Sequence, residues 1–172
     1  NTATVTTSSQ TLTYCASKGN NSSYEWIDLV QLGSMTNATG NNGGYADFTS
    51  KIADAKIGSN TIYYSCGFSS SSYTEYWHVW IDFNHDGDFE DSGEQVVTTT
   101  SSSSSTLSST FTIPAGTLTG NTRMRVTMKY AATATPCETF TYGEVEDYTI
   151  NISNASQNNP PLANFDNLEI ID

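Results

Sequence analysis

Six carboxylates crowd into the thirteen residues Asp82-Phe-Asn-His-Asp-Gly-Asp-Phe-Glu-Asp-Ser-Gly-Glu94. Within that run, side-chain oxygens recur at every second position, on Asp82, Asn84, Asp86 and Asp88, and Gly87 permits a sharp turn. Alternate oxygens on a tightly curled loop can wrap one hard cation. Ca2+ takes roughly six to eight oxygen ligands in flexible geometry, whereas Mg2+ demands a strict octahedron and keeps its waters. Calcium is therefore the expected ion, with Glu90, Asp91 or Glu94 closing the shell. The alternative is a solvated acidic turn, since Asp-Gly is a common turn dipeptide. Against it, so many carboxylates without a cation would repel one another. An ion held by one loop would lock that loop and add folding stability.

The loop resembles the first half of an EF-hand, Asp-x-Asn-x-Asp-Gly-Asp. It departs from that pattern at its far end, where the twelfth position is Gly93 and the acid Glu94 comes one later. The residues before it, Tyr76–Ile81, read as a strand and not as a helix. The expectation is a calcium loop set between strands.

Those strands follow from a period-two pattern that dominates the chain. In Arg123-Met-Arg-Val-Thr-Met-Lys-Tyr130, Met124, Val126, Met128 and Tyr130 point one way and Arg123, Arg125, Thr127 and Lys129 the other. Further strands are expected near 10–14, 25–33, 61–68, 76–83, 94–99, 106–113 and 144–152. Turn signals at Gly40–Gly44, Asp86-Gly87, Pro114-Ala-Gly116 and Gly120-Asn121 separate them. Residues 46–56 carry a short helical turn at most, and the Ser/Thr run Thr98–Thr106 reads as an exposed hairpin loop with strand ends. Many short strands with frequent turns predict an all-β fold, an antiparallel β-sandwich of jelly-roll or immunoglobulin-like type. The sandwich is expected over residues 1–153, and 154–172 reads as a linker and tail toward a neighbouring module of the same polypeptide.

Composition narrows the partners. The 172 residues carry 6 Lys and Arg against 18 Asp and Glu, a formal net charge of −12. Such a field repels nucleic acid and anionic lipid, and no apolar run reaches membrane-spanning length, so membrane insertion is not expected. Abundant Ser, Thr and Asn with few Lys fit a secreted or cell-surface protein, in which a disulfide persists. Of the three cysteines, Cys15 and Cys137 are the expected pair, a bridge joining the two ends of the domain. Cys66 lies on one face of a strand with Ile62, Tyr64 and Phe68, which makes it a buried inert thiol. No cysteine has zinc-ligand spacing.

An enzyme is not expected. Only two histidines exist, His78 and His85, one flanked by a Trp-rich strand and one inside the acidic loop. No Gly-x-Ser-x-Gly, His-Glu-x-x-His or phosphate-loop motif occurs. Glu138 and Glu144 could be nominated as a glycosidase pair, but no spacing singles them out.

Two stretches carry a family resemblance. Tyr142-Gly-Glu-Val-Glu-Asp-Tyr148 is similar to the motif that names the GEVED domain, found in secreted multidomain proteins of Bacteroidetes-type bacteria. Tyr14-Cys15, Tyr76–Phe89, Thr122–Val126 and Cys137-Glu138 also resemble that family's pattern, in its order, so that the likeness runs over about residues 14–152. It implies a β-sandwich accessory domain attached to hydrolases or adhesins, and it supports the Cys15–Cys137 bridge.

Within this motif Glu144 and Glu146 share one strand face and Asp147 lies opposite. Arg123 and Arg125 have matching spacing on a neighbouring strand, which suggests a cross-strand Arg–Glu ladder; a second cation or a ligand hydroxyl is the other use of these acids. Aromatic side chains surplus to a core cluster near strand ends and loops: Tyr24, Trp26, Tyr73, Tyr76, Phe140 and Tyr142. Carbohydrate-binding modules stack such rings on sugars and hydrogen-bond hydroxyls with amides and carboxylates. Tyr24, Trp26, Tyr73, Tyr76 and Tyr142, with Glu144, are thus the candidate ligand residues. The expected function is a non-catalytic, calcium-binding accessory domain that holds a polysaccharide. A calcium-stiffened spacer or adhesion domain without a glycan ligand is the alternative.

Overall fold

A computed structural model of the chain describes residues 12–155. Within them it contains ten strands and no helix: β1 (Lys18–Asn21), β2 (Glu25–Leu32), β3 (Met35–Ala38), β4 (Tyr45–Lys56), β5 (Gly58–Phe68), β6 (Glu75–Ile81), β7 (Gln95–Ser101), β8 (Leu107–Ile113), β9 (Gly120–Tyr130) and β10 (Thr139–Ser153). They form two sheets. One runs β1-β10-β9-β6-β7, with β4 also on β10, and the other runs β3-β2-β5-β8. The expected β-sandwich is what the chain forms.

The core fills the space between the sheets, where alternate residues of each strand meet. Trp77, Val79 and Ile81 of β6 and Met124, Val126 and Met128 of β9 face Ile27, Val30, Ile62 and Tyr64 from the other sheet, all essentially inaccessible to solvent. The Tyr64 and Trp77 rings lie 4.7 Å apart across the interface. Cys66 is a buried free cysteine in this core. Cys15 and Cys137 are joined in a disulfide that closes 122 residues of chain.

Several expectations require correction. The sandwich is not wholly antiparallel, because β1 and β4 both run parallel to β10. Residues 46–56 form most of strand β4 and no helical turn. Their fully buried side chains are only the small Ala53 and Ala55, with Phe48 partly packed on the core, and this leaves no strong alternation to read. The Ser/Thr run is not a hairpin loop either. β7 pairs with β6 in one sheet and β8 with β5 in the other, so residues 102–106 cross between the layers. Both faces of β6 are covered. His78 and Trp80 on its outer face are buried, and Trp80 packs with Phe89, Ala134 and Tyr14 in a second small core outside the sheet. The strand expected at 10–14 has no strand in its residues 12–14, and the remainder, like 156–172 of the tail, lies outside the described residues.

Candidate functional site

The strand β6 carries a candidate site at each end. At its C-terminal end the acidic loop begins with Asp82, which is fully buried. Asp82 Oδ1 accepts the N–H groups of His85 (2.6 Å) and Asp86 (3.3 Å), and Oδ2 accepts the Tyr14 hydroxyl (2.7 Å) and the Gly87 N–H (3.1 Å). The alternation then does its work. One oxygen each of Asn84, Asp86 and Asp88 accepts the N–H two residues on, at 3.2, 3.2 and 2.9 Å. His85 takes a left-handed conformation, φ 59°, to let the chain curl. One face of the loop is braced in this way, and Asp86, Asp88 and Asp91 each bring a carboxylate oxygen within 4.8 Å of the other two, all three residues being exposed. This acidic triad can hold a metal ion. The Asn84 amide donates to Asp86 and Asp91, 2.8 Å each. Of the ligands expected from sequence, the triad brings together Asp86 and Asp88 with Asp91, one of the three acids expected to close the shell. Asp82 serves as the loop's internal brace.

Glu94 closes the loop from inside. Its Oε1 accepts the Phe83 N–H at 2.7 Å, and its Oε2 is buried without a partner. Burial, with Asp82 and Asp91 nearby, pushes its carboxyl up to about 7. Its backbone carbonyl receives the Ile81 N–H, so the loop returns to the end of the strand it left.

At the other end of β6 a cavity of about 190 Å³ opens between the sheets, lined by Tyr24, Glu25, Tyr73, Tyr130 and Tyr142. Tyr24, Tyr130 and Tyr142 are 46%, 40% and 37% exposed, unusual for rings that pack on one another. The contacts are edge-on: Tyr24–Tyr142 at 5.8 Å, Tyr73–Tyr130 at 5.5 Å and Tyr130–Tyr142 at 6.2 Å. Local structure fixes the walls. The Ser69 N–H binds the Tyr24 carbonyl, and the Ala131 N–H binds that of Thr74, tying the ends of β5 and β9 to the neighbouring turns. Glu25 is 2% exposed, and its Oε1 has no partner. Glu75, also buried, has no partner for either oxygen, and burial, with Glu25 beside it, pushes its carboxyl up to about 8.

Three candidate ligand residues, Tyr24, Tyr73 and Tyr142, thus meet at one cavity. Trp26 and Tyr76 are half-buried and do not line it. Trp26 lies flat on Gly67, where an added Cβ would come within 2.4 Å of the indole. Phe140 is buried, with the Lys129 ammonium 5.6 Å from its ring centre. Sequence reading missed Tyr130, Glu25 and Glu75. Their only signal is position, each standing at the first or last residue of a strand.

Glu144 is committed elsewhere. It is fully buried, and its oxygens accept the N–H groups of Ile27 (3.0 Å), Asn42 (2.6 Å) and Gly44 (3.4 Å). Glu146 accepts the Thr39 hydroxyl (3.1 Å), the Asn42 amide (3.2 Å) and the Tyr148 hydroxyl (2.6 Å). These two acids fasten the 39–44 loop and β2 to β10, joining the two sheets. The Arg–Glu ladder is therefore wrong. Register places Asp147, not the glutamates, on the face shared with Arg123 and Arg125. Asp147 takes Arg125 Nε and Nη2 at 2.7 Å each and Arg123 Nη1 at 3.0 Å. Gly143 opens this segment with φ 118°, and a Cβ there would stand 2.1 Å from the Met128 carbonyl oxygen.

The fold and these buried acids define a β-sandwich whose sheets are laced together through one glutamate-rich strand. In agreement, the GEVED domain model matches residues 76–151, a stretch that runs from β6 into β10 and includes the acidic loop, which supports the family resemblance. The match is shorter than the likeness read from the sequence and does not include Tyr14-Cys15. Curated proteins give no match to the chain.

Proposed function

We propose that this chain is a non-catalytic accessory domain of a secreted or cell-surface protein, one that binds a polysaccharide at its tyrosine cavity and calcium in its acidic loop. The observation that carries the reading is the cavity itself. Four tyrosines, three of them exposed, gather where two sheets end, and a monomer seldom leaves such a patch without a use. Tyrosine supplies ring area for sugars and a hydroxyl that stays hydrated. Calcium fits the opposite loop because its ligands are all oxygens on one short segment. The unpartnered Glu94 oxygen at the base of the loop supports a cation there. The disulfide supports an oxidising compartment.

The arrangement around the buried histidine supports a non-catalytic reading. His78 Nε2 lies 3.0 Å from the Thr133 hydroxyl, the contact a threonine nucleophile would need. Its Nδ1, however, is buried without a partner, so no carboxylate orients the ring.

A spacer without a small ligand is the second reading, and the burial of Trp77 and Trp80 favours it, since neither can stack on a sugar. Affinity electrophoresis against a panel of plant and marine polysaccharides separates the two. Retardation by one glycan that Tyr142→Ala reduces at least tenfold supports the binding module. No retardation by any glycan, with a wild-type melting temperature that falls on chelation, supports the spacer.

A further inference from the structure

We propose that the sugar held in the tyrosine cavity carries a free primary amine, and that Glu25, backed by Glu75, receives its ammonium group. The proposal rests on the glycan reading above and specifies its substrate class. Three carboxylate oxygens, Glu25 Oε1 and both of Glu75, are buried without a hydrogen-bond donor at this one end of the sandwich. Buried carboxylates are costly unless paired with a cation or supplied with donors. Among the described residues the protein supplies neither. Its six lysines and arginines are Lys18, Lys51, Lys56, Arg123, Arg125 and Lys129, and none of them lines the cavity.

The walls point the same way. Neighbouring tyrosines meet at 73°, 79° and 81°, so they box a volume in from several sides and do not form the flat platform that stacks a neutral sugar face. Boxes of aromatic rings attract cations through the negative faces of the rings. A quaternary ammonium would suit the rings but has no N–H for the orphan oxygens, whereas a primary ammonium offers three. The volume of about 190 Å³ suits one sugar unit, below the range of pockets that enclose drug-sized ligands. A net charge of −12 draws a polycation toward the domain and repels uronate or sulfate polymers.

Calorimetric titration with a glucosamine hexamer, its fully N-acetylated counterpart and a glucose hexamer of equal length tests this. The free-amine hexamer is expected to bind at least tenfold tighter than either of the others. Glu25→Gln should erase that margin, and Tyr142→Ala should weaken the free-amine hexamer tenfold without changing any charge, which separates the cavity from general attraction to an acidic surface. Retained melting temperatures establish that both variants are folded. If an acetylated or neutral hexamer binds as well as the amine, the amine assignment fails and the glycan reading stands. If polylysine binds at the cavity while no hexamer does, both fail and the site is one for a basic protein segment.

Discussion

Asp147 occupies a position 1% exposed between two guanidinium groups, one of which, Arg125, is itself 2% exposed. Arg125 also donates to the Pro136 carbonyl at 2.7 Å, so each of its three nitrogens is bound by the protein. Removing the acid strands a buried cation, and breaking such pairs from one side costs about 3–5 kcal/mol. Asp147→Asn is expected to lower unfolding free energy by that amount in urea titration. Arg123→Ala, which removes a partner 22% exposed, is expected to cost about 1 kcal/mol or less. Equal, small losses for the two variants would show that the pair does not anchor the strand. At this scale the sequence was legible where chemistry repeats. The oxygen alternation from Asp82 to Asp88 pointed to the loop, although which oxygens brace and which converge depends on the turn each Asx residue makes. The partners of Glu144 were not legible, because Ile27, Asn42 and Gly44 are about 100 residues or more away and give it backbone N–H groups, which no residue type announces.

The seven residues of β6 separate the acidic loop from the tyrosine cavity by about 20 Å at the rise of an extended strand. A cation in the loop therefore touches no ligand in the cavity, and its effect reaches the site only through the stability of the sheet. Calcium at about one hundred times its dissociation constant should add about 2.7 kcal/mol to folding. For a domain of this size that corresponds to about 5–10 °C in melting temperature. Chelation should reverse that shift, and Asp88→Asn should reduce it, while glycan affinity measured well below the transition changes less than about twofold. Loss of glycan binding on chelation at a temperature where the fold is intact would place calcium in the site itself. Elements with strong alternation, β6 and β9 above all, could be read from the chain. β4 could not, because its fully buried residues are the small Ala53 and Ala55 and it joins β10 with a register shift between Tyr148 and Thr149. Nor could the passage of residues 102–106 from one sheet to the other, since polar strand ends look alike whether the chain turns back or crosses over.

Across the whole molecule, buried glutamates outnumber the cations that could offset them. Burial pushes Glu75 up to about 8 and Glu146 up to about 7, and also raises Glu25 and Glu144. In the unfolded chain these groups release their protons near the ordinary glutamate value, whereas the folded molecule retains them to higher pH. Over that window the native state binds more protons, so stability is highest below it and falls as pH rises toward about 8. Each proton so retained costs up to about 1.4 kcal/mol per pH unit. The ligand-free domain, melted in chelator so that metal ligation does not contribute, should therefore be more stable at about pH 5.5 than at about pH 8.5. Glu75→Gln should flatten the slope by up to one proton, because the amide stays neutral throughout. A flat profile in the wild-type domain would mean that Glu25 and Glu75 already have a counter-charge that the fold does not supply. A primary amine titrated into the cavity should act in the same direction, by stabilising the ionised pair and weakening the loss of stability at high pH.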